Sequence, residues 1–446
     1  MTKQLNRTTL EALHHRADDV LKELVTDDGV YASAQNGWKG PYHSWFGRDG
    51  AITAELIGAA VPFGGNCTLA MDALQSLLAF SRFQGSKNNP ETGEEIGKMP
   101  HEIRTTFDSV DQVQHAARTN AKPWYVDPTD GIMKNWDSVD STPLWIIAVI
   151  RLHDVLQSPL DRYTKECVKA GMDWIVDNMN HNEGFVGFIG ADDADGRVYS
   201  GLHNQGWKDS EKIYQYEDGS LATHPIKDVL VNAESWAALR LGAEVWKSDD
   251  EKYSRKINGV AMLLRHRFNM SRFGFLLPTK DYYAQALDAE GTQLPHIAAD
   301  VPMSMWAYYR DECVIGQSYL EKVIERTMKS SMLNPAAGIR NYEEGTIFRQ
   351  KGTHYHGTSS TYWPFVSAFV SRGMLHFGHD DYARQIMNAS LSAVHELGSN
   401  IELFVCRQDG HVRPWHHPEL GQQSAREQAW TAASVYFETL YLLAHR

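Results

Sequence analysis

The sequence has little cysteine, and none of it is clustered. Cys67, Cys167, Cys313 and Cys406 lie far apart and form no CxxC pair. That excludes a dense disulfide framework or a zinc ribbon and fits free thiols in a reducing compartment. No run of ~18 apolar residues occurs, so no membrane span is expected. The opening MTKQLNRTTLEALHHRADD is polar and lacks an apolar h-region, so no secretory signal is expected and a cytoplasmic setting follows. Positive charge is also short. Lys plus Arg total 43 against 56 Asp plus Glu, a net charge of −13. This argues against nucleic acid, whose phosphates need clustered Lys and Arg, and against a polybasic membrane contact. There is no βαβ rhythm and no GxGxxG, so a nucleotide-binding sheet is excluded. No Ser/Gly-rich or Pro-rich tract reads as a linker.

What is present is apolar and aromatic. Hydrophobic residues make up 42% and aromatic residues 11% of the 446 positions. That length suits two or three domains or one large closed architecture. Many rings sit beside Gly, His, Asp and Arg. Rings flanked by polar groups suit a sugar, though aromatics also fill cores. A small neutral carbohydrate is the expected partner.

Apolar spacing of 3.6 residues predicts helices from Thr8 or Thr9 to about residue 25, then over 49–61, 67–83, 138–157, 160–179, 229–247, 250–269, 299–309, 316–331, 361–377, 380–396 and 424–444. Segments 142–156 and 430–444 are apolar on more than one face and should be buried on both sides. Strand-like text is short: 185–190, 273–277 and 345–349. Long loops, rich in Gly, Trp, His and charge, separate paired helices. The expectation is one all-α domain over 1–446, a double ring of helices with its loops at one rim.

Cleaving a glycosidic bond needs two carboxyls, one protonated and one ionised. Asp209, in NQGWKDS, follows Trp207, and a tryptophan wall raises a carboxyl pKa as a general acid requires. Lys208 opposes that if it points at Asp209. The alternative is an Asp that caps a helix, with Lys208 on the surface. Arg48 and Asp49, in YHSWFGRDGA, offer donors and an acceptor for vicinal hydroxyls, with Trp45 and Phe46 as walls or core. His354, Tyr355, His356 and Trp363 cluster before a helix. An HxH pair lacks further ligands at a telling spacing, so sugar contacts are favoured over metal, and no cofactor is expected. Glu402, Glu419 and Glu427 compete as the second carboxyl. Glu402 lies between Ile401 and Leu403, where an acid needs a reason. ADDADG at 191–196 fails as a calcium loop, with Ala191 and Leu202 at the first and twelfth positions.

Together these runs resemble the (α/α)6-barrel glucosidases, above all the amylo-α-1,6-glucosidase part of glycogen debranching enzymes and its glucoamylase-like and trehalase-like relatives. The resemblance rests on WFGRDGA at 45–51, DSVDSTPLW at 137–145, NQGWKDS at 204–210, GIR at 338–340, YHGTSSTYWP at 355–364, IELF at 401–404 and EQAWTAAS at 427–434. It implies Asp209 as general acid and Glu402 as base, with inversion and carboxyls about 6.5–9.5 Å apart. Trp45, Arg48, Asp49, Trp207, Lys208, Arg340, Tyr355, His356, Trp363 and Gln428 are the substrate-contact candidates. Glu427 departs from the proline usual there. The short chain favours a small oligosaccharide or glucoside over glycogen, and glucosylglycerate or mannosylglycerate stay open. Rival readings are an epimerase or lyase using His354, Tyr355, His356, His416 or His417, and a binding protein with a degenerate site.

Overall fold

The computed structural model describes residues 4–34, 42–106, 110–111, 122–349, 355–417 and 422–446. His354 and Glu419 lie outside the described residues. Among the described residues there are twelve α-helices. They are α1 Arg7–Leu24, α2 Gly47–Ala60, α3 Cys67–Phe80, α4 Ser141–Val155, α5 Arg162–His181, α6 Val229–Trp246, α7 Glu251–Phe268, α8 Asp300–Met303, α9 Gln317–Thr327, α10 Pro364–His376, α11 Asp380–Leu397 and α12 Ala429–Ala444.

Their contacts form a closed cycle. α2 packs on α4, α4 on α6, α6 on α8, α8 on α10, α10 on α12, and α12 returns to α2. An outer helix lies against each inner one, α3 on α2, α5 on α4, α7 on α6, α9 on α8, α11 on α10 and α1 on α12, and α3, α5 and α11 also reach the next inner helix. The sequence explains the two layers. Inner helices such as α2 and α4 are buried on nearly every face. Outer helices bury one stripe, as α9 does with Leu320, Val323, Ile324 and Thr327. One hydrophobic cluster runs from Leu10 to Leu442, so the layers share a core. No described helix is long and apolar enough to cross a membrane.

Several local expectations are corrected. Asn6 caps α1 by accepting the Thr9 N–H at 2.9 Å, ahead of either threonine. The helix expected over 299–309 stops at Met303 and tightens into a 3₁₀ turn over Ser304–Trp306. The last helix starts at Ala429 because Gln428 is extended and bridges Ser33. FVGFIG is no strand; it makes a single bridge, Phe188 to Ile226. Of 273–277, only Leu276–Leu277 pairs, with Tyr282–Tyr283. Residues 345–349 form no strand.

Three-stranded antiparallel sheets of very short strands lead into the inner helices. Trp45–Phe46 pairs with Glu102–Arg104 and runs into α2. Lys227–Asp228 pairs with Ala286–Leu287 and runs into α6. Thr361–Tyr362 pairs with Phe404–Cys406 and runs into α10. These pairings hold the entering loops against the N-terminal turns of the inner helices.

Candidate active site

The candidate residues gather where the inner helices begin. Arg48 and Asp49 lie in the first turn of α2, Asp300 opens α8, and Trp363 and Gln428 immediately precede α10 and α12. Asp140 and Asp228 precede α4 and α6 in the same way.

Arg48 is buried and central. Its Nε donates to Asp140 Oδ2 at 2.7 Å and one terminal nitrogen donates to Gly206 O at 3.0 Å. The other lies 3.6 Å from Asp209 Oδ2. Arg48 therefore ties the Asp209 loop to α2 and α4. Asp49 accepts from Gln428 Nε2 at 3.0 Å. Burial pushes the Asp49 carboxyl up to about 8 against the pull of Arg48, with Glu402 and Asp209 adding repulsion.

Asp209 keeps 30% of its side chain exposed, the most open of these carboxyls. It sits deep, yet a ligand can reach it. Burial raises it to about 6, against Arg48, with Asp140 adding to the rise. The loop beneath it is pinned. Trp207 Nε1 donates to Asp300 Oδ1 at 2.6 Å. Lys208 Nζ donates to Asp300 Oδ2, with neither side chain exposed, and lies over the rings of Trp207 and Tyr342 at 4.9 and 4.1 Å. The open question about Lys208 is settled: its charge is spent on Asp300, not on Asp209. Asn204 Nδ2 donates to Ser210 O at 2.7 Å, and Ser210 Oγ meets His356 Nδ1 at 2.7 Å. His356 Nδ1 is 3.9 Å from Asp209 Oδ1, and burial holds the ring neutral. The ring stacks on Trp363 at 5.1 Å, and Trp207 stands perpendicular to both.

Glu402 enters from the loop after α11. Its Oε1 accepts from the Tyr355 hydroxyl and its Oε2 accepts the Ala425 N–H at 2.9 Å. The Glu402 N–H returns a bond to Ala425 O at 2.9 Å. Burial raises the carboxyl to about 7, eased by the Tyr355 and Ala425 bonds, with Asp209 adding to the rise. These bonds are the reason for an acid between Ile401 and Leu403. Glu427 helps place it, accepting from Asn400 N–H and Nδ2 at 3.1 and 2.8 Å.

The remaining candidates lie at the edges. Trp45 packs against Tyr31, Phe83 and Gly29. Trp363 is 1% exposed, closed in by His356, Phe365 and Trp430. Arg340 donates to Ser359 O at 3.0 Å and to the Tyr362 hydroxyl, bracing the Tyr355–His356 loop. Sequence reasoning passed over Asp140, Asp228, Asp300 and Glu234, all buried. The signal was there: Asp140 and Asp300 each stand at the start of an apolar helix.

Asp49, Asp140, Asp228, Glu234, Asp300 and Glu402 are buried, and Asp209 stands among them with 30% of its side chain exposed. Among the described residues, Arg48 and Lys208 are the cations paired with them. A surplus of buried carboxyls keeps some of them protonated near neutral pH. Asp209 and Glu402 rise together, so burial alone does not separate an acid from a base.

One described group has metal-ligand types close together: Asp193, His203 and His224, with ligand atoms within 4.8 Å of one another. His224 Nδ1 already accepts the Gly190 N–H at 2.7 Å and lies 3.4 Å from Asp193. Its lone pair is engaged by backbone, so the trio closes a loop.

No protein-family model matches the sequence, and no curated protein matches it by sequence. Solved structures do match. The GH63 mannosylglycerate hydrolase from Thermus thermophilus, in complex with Tris and D-glycerate, gives a TM-score of 0.60 at 13% identity, covering 95% of this chain and 99% of that one. The fold is shared with solved glycosidases. The same Thermus hydrolase in complex with glucose gives 0.58 at 14% identity over 95% and 99%. A glycosidase variant in complex with glucose gives 0.55 at 13% identity, covering 98% of this chain and 99% of that one.

Proposed function

We propose that the protein is a glycoside hydrolase, an inverting exo-acting α-glucosidase that removes terminal glucose from a small oligosaccharide or glucoside. Its architecture is one (α/α)6 barrel spanning the chain, a reading supported by the closed cycle of helix contacts and the large hydrophobic cluster that runs through both layers. Asp209 is the proton donor and Glu402 the base. The observation that carries this is the pair itself: two carboxyls with raised pKa, on separate loops, above one rim of the helix cycle. Asp209 is open to a ligand, and Glu402 is held by two donors that favour its ionised form.

Asp209 passes its proton to the leaving oxygen as the bond to the anomeric carbon breaks. Glu402 takes a proton from water, whose oxygen attacks that carbon from the opposite face. With values of about 6 and about 7, a proton held near neutral pH in the free protein rests more on Glu402 than on Asp209. The productive form has that proton on Asp209. Bound substrate favours it, because the leaving oxygen accepts from Asp209 and the water donates to Glu402.

A glycerate-bearing substrate is the second reading, supported by the mannosylglycerate hydrolase neighbour with D-glycerate bound. The test is a panel of p-nitrophenyl glycosides, α-linked glucose disaccharides and glucosylglycerate, run with wild type, Asp209→Asn and Glu402→Gln. Release of reducing sugar by wild type and its loss in both variants supports the assignment. Undiminished release by either variant overturns that residue's role.

A further inference from the structure

Beneath the proton donor lies a group the hydrolytic steps do not use. Asp300 is fully buried and accepts from two consecutive residues, the Trp207 indole N–H at 2.6 Å and the Lys208 ammonium. Asp209 is the next residue. Lys208 is fully buried too, with Asn341 O at 3.5 Å as its other acceptor. An ion pair so deep costs more desolvation than a well-packed apolar pair would, so stability alone does not account for it. What it does supply is direction. One carboxylate aims two neighbouring side chains the same way, and that fixes the backbone from which Asp209 projects. The loop's other end is tied separately, through Asn204 to Ser210 O and Ser210 to His356.

We propose that Asp300 is a positioning residue for proton donation: by holding Trp207 and Lys208 together it sets where the Asp209 carboxyl stands and keeps the Lys208 ammonium away from it. The inference rests on Asp209 as the donor. Asp300 itself touches no substrate. Its effect reaches the reaction only through the alignment of Asp209 with the leaving oxygen. That alignment matters in proportion to how much the leaving group needs a proton. An alkoxide leaving group needs one; fluoride departs without one.

The experiment compares full-length wild type, Asp300→Asn, the charge-balanced Asp300→Asn/Lys208→Met and Asp209→Asn on two probes, an α-linked glucose disaccharide and α-glucosyl fluoride. Asp300→Asn keeps an acceptor for Trp207 but strips Lys208 of its counter-charge. The double variant removes that buried charge, so it folds even where the single variant does not. The expected result is a fall in kcat on the disaccharide of about 10²-fold for either variant, with KM nearly unchanged. On the fluoride the loss stays below about threefold, because no proton transfer is needed. Equal losses on both probes would mean less folded enzyme and a purely structural Asp300, and would overturn the proposal. So would no loss on either. The Asp209→Asn arm separates the two levels. If it shows the leaving-group split and the Asp300 variants do not, only the positioning role falls. If Asp209→Asn cleaves the disaccharide like wild type, the donor assignment falls and takes this inference with it.

Discussion

At the C-terminal ends of the inner helices, Glu55 is buried between Arg151 and Arg372, accepting from Arg151 at 2.8 Å and from Arg372 on its other oxygen. Arg151 also caps carbonyls of Trp306 and Tyr308 at 3.0 and 2.9 Å. Despite burial, the two guanidiniums hold Glu55 below its usual range. At the N-terminal ends, Asp49 and Glu402 are buried and Asp209 is partly exposed beside Arg48, and all three rise. Both ends hold buried carboxyls, and the outcome is opposite. A carboxylate with more cation than it needs is a fixed brace. Carboxyls with too little cation exchange protons near neutral pH, as a working acid or base must. A cavity of about 1030 Å³ lies at the Glu55 end, lined also by Arg151, Arg372, Tyr308 and Phe437.

The comparison breaks most visibly on activity. Asp209→Asn and Glu402→Gln should each lower kcat by about 10²–10⁴-fold with little change in Tm, measured by steady-state hydrolysis and thermal unfolding. Comparable activity would show that the rim is not the working end. Glu55→Gln should do the reverse. Leaving Arg151 and Arg372 buried without their carboxylate should cost about 3–5 kcal/mol of stability, while the folded fraction keeps its kcat. Denaturant unfolding with parallel assays checks this.

Tyr355→Phe sharpens the comparison within the rim. The Tyr355 hydroxyl stabilises ionised Glu402, so its loss should push Glu402 above about 7 and move the acidic limb of the pH–rate curve upward. An unmoved limb would detach Tyr355 from the base.

The smallest effect is on pH and stability, and its sign differs between the ends. Glu55 is depressed on folding, so its contribution is present above its unfolded pKa and fades as pH falls. Asp49 is raised, so its contribution is full below its unfolded pKa and fades as pH rises through about 8. Asp49→Asn should therefore raise Tm at about pH 9 and leave it nearly unchanged at about pH 4, by calorimetry across pH.

Much of the layering was legible. Segments 142–156 and 430–444, apolar on several faces, are the inner helices α4 and α12. The site residues were legible as types, not as arrangements. Lys208 next to Asp209 is ambiguous in sequence because its partner, Asp300, is 92 residues away. Trp45, Trp207 and Trp363 look like pocket walls in polar text, yet all three are buried, with 5%, 4% and 1% exposed. Tyr355 was expected on sugar, but its hydroxyl lies on Glu402, a contact across 47 residues that no local pattern encodes. Helix starts slipped at α2 and α10, which follow two-residue strands paired with distant loops, but held at α6, which follows one too.

The most direct test of the central claim, an acid and a base facing each other at the rim, is a proton NMR time course of hydrolysis of an α-linked glucose disaccharide. The account predicts that β-glucose appears first and mutarotates afterwards, and that Asp209→Asn abolishes its release. α-Glucose appearing first, or release undiminished in Asp209→Asn, would contradict it.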